Sequence, residues 1–164
     1  MTSNRPKNAT TIEVDSAVPH VRIVREFNAS PENVFRAHAD PELFAKWNGP
    51  NDTAMTVDHH DCRTGGSYRY MINSGGYDAW FHGSFHDVRP AELIVQTFTY
   101  EGMPDGVALE KLAFEDLGDF RTRLTSTSLV DSFADRDAFV ASGMESGVVQ
   151  GYERLDSVLD SMAT

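Results

Sequence analysis

The six histidines and the single cysteine are the residues best suited to ligate a metal or attack a substrate. His59, His60, Asp61 and Cys62 are consecutive, a composition that suits a zinc site or an activated thiolate with Arg63 beside it. Their spacing argues against both. A strand sends His59 and His60 to opposite faces. His82 and His86 share a strand face but lie about 13 Å apart at roughly 3.3 Å per residue, whereas zinc ligands sit about 2 Å from the ion. His60 and His82 meet only if paired across strands. No metal and no organic cofactor is expected. Cys62 precedes the Gly65-Gly66 turn, and a lone thiol at a strand end is ordinarily inert. No nucleophile elbow, dinucleotide fingerprint or phosphate loop is present.

Acid–base chemistry has more candidates. Asp58, His60, Arg69, His82 and His86 lie on expected strands, as do Glu110, Lys111, Arg121 and Arg123. Alternation forces some of them inward, and an inward charge needs a partner or takes a shifted pKa. A one-residue change of register inverts the assignment, so the faces stay open.

The aromatic residues point to binding. Ligand cavities are largely apolar with a few polar anchors, and a buried Tyr or Trp must find a partner for its OH or NH. Tyr68, Tyr70, Trp80 and Tyr152 are the favoured contacts. Trp47, Phe98, Phe114, Met144, Gly147 and Val148 complete the candidate ligand-binding cavity. Phe81, Phe85 and Tyr100 belong to the same aromatic set, most of which plain core packing also explains. Trp47 falls where two short helices can close the cavity mouth. Asn73–Tyr77 reads as a mobile flap or as an ordinary hairpin turn.

The elements that must position these groups follow from periodicity and breakers. Residues 1–10 read as a flexible tail, and Thr11–Val14 as a short edge strand. His20–Phe27 alternates as a strand, with Val21, Ile23 and Phe27 on its apolar side. Ser30-Pro31-Glu32 starts one helix and Asp40-Pro41-Glu42 a second. Six strands follow between Gly/Pro turns: Ala54–His60, Ser67–Ile72, Asp78–Val88, Leu93–Tyr100, Val107–Glu115 and Phe120–Leu129. Leu112 and Phe114 share a face, as do Tyr68, Tyr70 and Ile72. From Ser132 onward the apolar spacing is helical for about 25 residues. Gly143, Gly147 and Gly151, spaced by four, form a stripe on that helix, and the sheet is its expected neighbour.

The expected architecture is α+β: a curved antiparallel sheet of about seven strands wrapped around one long C-terminal helix. At 164 residues one domain is expected over 11–164. The net charge of −11 argues against nucleic-acid and anionic-membrane partners. One cysteine precludes an internal disulfide, and with no signal-like or membrane-spanning stretch a cytoplasmic setting is expected.

Several stretches together resemble the START-like (SRPBCC, Bet v 1-like) superfamily. They are Arg25–Phe35, Asp40–Trp47, Gly65–Tyr70, His82–Val95, Phe114–Gly118, Thr122–Thr125 and Gly143–Gly147. The order is similar to the bacterial branch that resembles the C-terminal domain of the heat-shock protein 90 ATPase activator. The resemblance implies a helix-grip fold with a cavity between helix and sheet, and no shared catalytic signature. The leading expectation is binding of a small, mostly apolar or aromatic molecule. The alternatives are an enzyme of cyclase, hydrolase or dehydratase type using that cavity, and a module acting on a chaperone or other partner. A homodimer is one way to protect the edge strands.

Overall fold

Ser30 and Asp40 set the first two helices by local chemistry. The structure, a computed structural model, describes residues 8–162. Ser30 accepts a hydrogen bond from the Asn33 amide and opens α1, Pro31–Ala39. The Asp40 amide closes α1 on the Arg36 carbonyl, while its carboxylate accepts from the Glu42 and Leu43 amides to open α2, Pro41–Trp47. One residue thus ends one helix and starts the next. Most of the tail expected over residues 1–10 lies outside the described residues.

The strands are β1 Thr11–Val14, β2 His20–Phe27, β3 Ala54–His60, β4 Ser67–Ser74, β5 Tyr77–Arg89, β6 Leu93–Tyr100, β7 Ala108–Gly118 and β8 Arg121–Leu129. Among the described residues all pair antiparallel in one sheet of eight strands, ordered β1-β2-β8-β7-β6-β5-β4-β3. The expected seven become eight because Thr11–Val14 joins β2 as an edge strand. β3 to β8 run as the expected meander, and β2 closes the sheet against β8.

The long C-terminal helix is present, but it does not run unbroken from Ser132 as expected. The chain forms α3, Phe133–Ala141, capped by Ser132, and then α4, Met144–Met162. Gly143 lies between them at φ +87°, a left-handed conformation that glycine adopts at little cost and that ends a helix. Gly143 therefore does not belong to a helical stripe.

The other two glycines face the end of α2 and the loop after it rather than the sheet. A Cβ on Gly151 would sit 3.2 Å from the Trp47 carbonyl oxygen, and one on Gly147 would sit 3.5 Å from Pro50 Cγ. Arg154 donates to the Gly49 carbonyl, and the Asn51 amide donates to Gln150 Oε1 at 2.9 Å, so the loop is fastened along α4. Gly147→Ala meets only ordinary contact and is expected to stabilise the protein by up to about 1 kcal/mol through helix propensity. Gly151→Ala is expected to gain nothing, because the Trp47 carbonyl must yield. Thermal melts check this; equal gains for both variants would refute the close approach at Gly151.

Leu155, Val158 and Leu159 on the second half of α4 are buried in one cluster with Val21, Phe27 and Val34. The Phe27 and Tyr152 rings meet edge to face at 5.3 Å. Under the first half of α4 the interior is not filled.

Candidate functional site

Between the sheet and the first half of α4 lies a cavity of about 490 Å³. Its roof is Met144, Gly147, Val148 and Tyr152 of α4, with Trp47 and Phe44 of α2. Tyr68 and Tyr70 of β4, Phe81 and Phe85 of β5, and Phe98 of β6 form an aromatic wall. Neighbouring rings stack in series: Tyr68 on Tyr70 at 6.0 Å, Tyr70 on Phe81 at 5.4 Å, and Phe81 on Phe98 at 5.4 Å. Exposed Pro50, Ser142 and Gly143 also line the cavity, so it opens between the α2–β3 loop and the α3–α4 junction.

Eight of the ten expected cavity residues line this space: Trp47, Tyr68, Tyr70, Phe98, Met144, Gly147, Val148 and Tyr152. Trp80 and Phe114 do not. Tyr70 pairs with Phe81 across β4 and β5, which puts Phe81 on the cavity face. Trp80 pairs with Met71 on the other face and lies under the Arg69 guanidinium at 3.9 Å. Phe114 points inward but beyond the cavity, where Phe35 and His38 of α1 cover it at ring distances of 5.7 and 5.4 Å. Asn73–Tyr77 is not a flap over the cavity. It is a tight β4–β5 hairpin turn with Gly75 and Gly76 at positive φ, and none of its residues lines the cavity.

A polar ladder crosses the apolar floor. Gln96, Glu110 and Ser128 are register partners on β6, β7 and β8. Gln96 Nε2 donates to Glu110 Oε1 at 3.0 Å, and Ser128 Oγ donates to Oε2 at 3.2 Å. Glu110 opens onto the cavity, and its removal from bulk water pushes its carboxyl above the ordinary carboxylate range. Desolvation also raises the hydroxyls of Tyr68, Tyr70 and Tyr152, and the Glu110 charge adds to all three shifts. The Tyr68 hydroxyl is already committed, donating to the Thr97 carbonyl. By residue type alone Glu110 is one of nine strand candidates. Extending the Leu112/Phe114 alternation by two residues places it inward.

Of the other eight candidates, His60 faces the cavity. Its Nε2 donates to the His38 carbonyl at 3.0 Å, and burial holds the ring below its usual pKa. Its Nδ1 is buried with no hydrogen-bond partner among the described residues. Arg69 and His82 meet Glu101 on the outer face, and Arg121 and Arg123 meet Glu26. His59 bridges Asp58 and Ser67 on the outer side. His60 and His82 therefore do not meet. Among the described residues no three His, Cys, Asp or Glu side chains gather as a metal site. Burial pushes the Cys62 thiol up to about 11, and Arg63 turns instead to Asp61 at 2.7 Å, so the thiol is not an activated nucleophile.

His38 was not among the expected site residues. It lines the cavity from α1, its Nδ1 donates to the Val34 carbonyl at 2.8 Å, and burial lowers its pKa from 6.5 to about 4. Between those values the unfolded chain binds a proton that the folded protein refuses, so stability falls as pH drops through the window. From this ring alone the loss between pH 7 and 5 is about 2 kcal/mol. His60 acts in the same direction. Glu110, raised rather than lowered, has the opposite sign. His38→Asn keeps a donor toward Val34 but has no proton to gain. Urea midpoints at the two pH values are expected to converge by about that amount in the variant; an unchanged difference would refute the assignment.

Solved structures of similar fold come from several bacteria. A protein from Chromobacterium violaceum is 26% identical with a TM-score of 0.75, covering 85% of this chain and 96% of that one. One from Arthrobacter aurescens is 25% identical with a TM-score of 0.84, covering 92% and 91%. One from Rhodobacter sphaeroides shares the fold at 24% identity and a TM-score of 0.83, covering 92% and 98%. No curated protein matches the chain. Among the described residues no helix is long and apolar enough to cross a membrane. The family model for Activator of Hsp90 ATPase homolog 1-like protein matches residues 28–160, most of the chain. This α+β helix-grip chain therefore belongs to the Activator of Hsp90 ATPase homolog 1-like family, within the START-like superfamily whose fold commonly binds hydrophobic ligands.

Proposed function

We propose that this protein binds one small, mostly apolar or aromatic molecule between its sheet and α4. The observation that carries the reading is the aromatic-walled cavity of about 490 Å³ with one polar ladder on its floor. Small-molecule sites typically span about 300–1,000 Å³ and combine apolar walls with a few convergent polar groups. The ligand contacts we assign are Tyr68, Tyr70, Phe81 and Phe98 along the wall, Tyr152 and Val148 above, and Glu110 below.

The uncharged fluorophore N-phenyl-1-naphthylamine tests this. Saturable binding at one site is expected, with thermal stabilisation that grows with ligand concentration; at 100 times Kd it amounts to about 2.7 kcal/mol. Gly147→Leu projects a side chain at the mouth beside Pro50, and is expected to weaken uptake at least about 10-fold while the fold persists. A wild-type protein that neither saturates nor shifts would overturn the reading.

An enzymatic use of the same cavity is favoured by one specific feature. Glu110 is a carboxyl held above its ordinary pKa inside the cavity, with Tyr152 and Tyr70 beside the same space. A carboxyl raised above its ordinary range is the starting point for a general acid. Turnover of a bound aromatic substrate that is lost in Glu110→Gln with binding retained would establish this second reading. A homodimer in a cytoplasmic setting also belongs to the proposal. The cross-strand pair Leu109 and Leu129 is exposed on the sheet and suits self-association.

A further inference from the structure

We infer that the cavity selects an aromatic molecule carrying a hydrogen-bond donor, a hydroxyl or an amine, that lands on Glu110, and that it rejects carboxylate-bearing ligands. This rests on the binding reading above and adds the chemical class of ligand.

The argument starts from what the wall lacks. Among the described residues, Glu110 is the one Asp or Glu that lines the cavity, and no Lys or Arg lines it. Neither cavity histidine offers a positive charge near neutral pH, since burial lowers both. Each has one ring N–H committed to a backbone carbonyl, His38 to Val34 and His60 to His38. The Tyr68 hydroxyl donates to Thr97. An anionic ligand would thus meet one carboxyl and no cation, with only neutral donors such as the Tyr70 and Tyr152 hydroxyls to receive it, and burying an unpaired charge is costly.

Glu110 itself supplies the positive half of the argument. Its two oxygens accept one hydrogen bond each, from Gln96 and from Ser128, and both donors are neutral. A carboxylate carries about four acceptor positions, so about two remain for a further donor on a residue that lines the cavity. Two neutral donors are few for a charge removed from water. A ligand N–H or O–H on that carboxyl completes its shell, and a protonated amine also matches its charge. The aromatic series Tyr68, Tyr70, Phe81 and Phe98 leads to β6, the strand that carries Gln96, so a flat ring along the wall brings a substituent to the ladder.

The test is a set of four ligands of one shape at pH 7: naphthalene, 2-naphthol, 2-naphthylmethylamine and 2-naphthoate. Each competes with N-phenyl-1-naphthylamine on the full-length protein. The naphthol and the amine are expected to bind roughly 10-fold or more tightly than naphthalene, and the naphthoate roughly 30-fold or more weakly than the naphthol. Glu110→Leu removes the carboxyl without adding a buried polar group. In that variant the naphthol and naphthalene are expected to bind within about 3-fold of each other. Equal or tighter binding of naphthoate to the wild type, with naphthalene still bound, overturns the selectivity and leaves the cavity reading intact. No competition by any of the four, and no uptake of the fluorophore, overturns both. The wild-type series decides the matter even if the variant fails to fold.

Discussion

Asp156→Ala is expected to cost about 3 kcal/mol of folding stability, the larger share of it from what is left behind. Arg25 sits on the inward face of β2 between Ile23 and Phe27 and is 2% exposed. Its two terminal nitrogens donate to the two oxygens of Asp156 on α4, at 2.6 and 2.7 Å. The guanidinium carbon lies 4.7 Å from the centre of the Phe27 ring. This pair ties the sheet to α4 one turn after Tyr152. Removing the aspartate leaves an arginine with no counter-charge in an apolar setting, and breaking a buried pair commonly costs about 3–5 kcal/mol. The lower figure applies because Asp156 is 34% exposed and water can reach the gap. Arg25→Met combined with Asp156→Leu removes both charges and is expected to recover most of the loss. Urea denaturation measures all three. A single-variant loss below about 1 kcal/mol would show the pair to be a surface-like ion pair of little weight.

Gly83→Ala is expected to be at least as damaging, about 3–4 kcal/mol, for a steric reason. Gly83 pairs with Tyr68 across β4 and β5, on the cavity face. A Cβ there would collide with the Thr97 carbonyl of the neighbouring strand β6 and with the Tyr68 ring and hydroxyl. The carbonyl is sheet backbone and cannot swing aside as a side chain would. Overpacking of a filled site costs about 1–3 kcal/mol, and displacing Tyr68 also forfeits its hydrogen bond to Thr97, worth about 1 kcal/mol. The same substitution shifts the first ring of the aromatic wall, so uptake of N-phenyl-1-naphthylamine is expected to fall with it. A variant as stable as the parent would mean that β5 and β6 can separate at this point. Tyr68→Phe isolates the lost hydrogen bond and is expected to cost only about 1 kcal/mol.

Local chemistry was legible where a few adjacent residues decide the outcome. Ser30, Asp40 and Ser132 open their helices as their side chains dictate, and β3 and β6 begin and end where breakers bound them. Two local signals compete with longer-range patterns. Ser142-Gly143 is a helix stop in its own right, yet the apolar spacing continues across it and suggests one helix. Leu112 and Phe114 fix the face of Glu110 by parity, yet a charged residue type by itself suggests an outward position.

What the sequence by itself determined is the order of the strands, the starts of α1, α2 and α3, and the family to which that order belongs. It also determined parity where alternation is clear: Tyr68 with Tyr70 on β4, Leu112 with Phe114 on β7. Only the tertiary structure decided which parity faces α4, because shifting a strand by one residue preserves alternation and exchanges the faces. That is why Phe81 rather than Trp80 meets the cavity. Tertiary structure alone also decided that Arg25 is buried against Asp156, 131 residues away, and that the glycines of α4 yield to the loop after α2. The Glu110 carboxyl owes its raised pKa to the same cause. Solvent access and counter-charge at one atom are set by segments distant in the chain, and no local pattern encodes them.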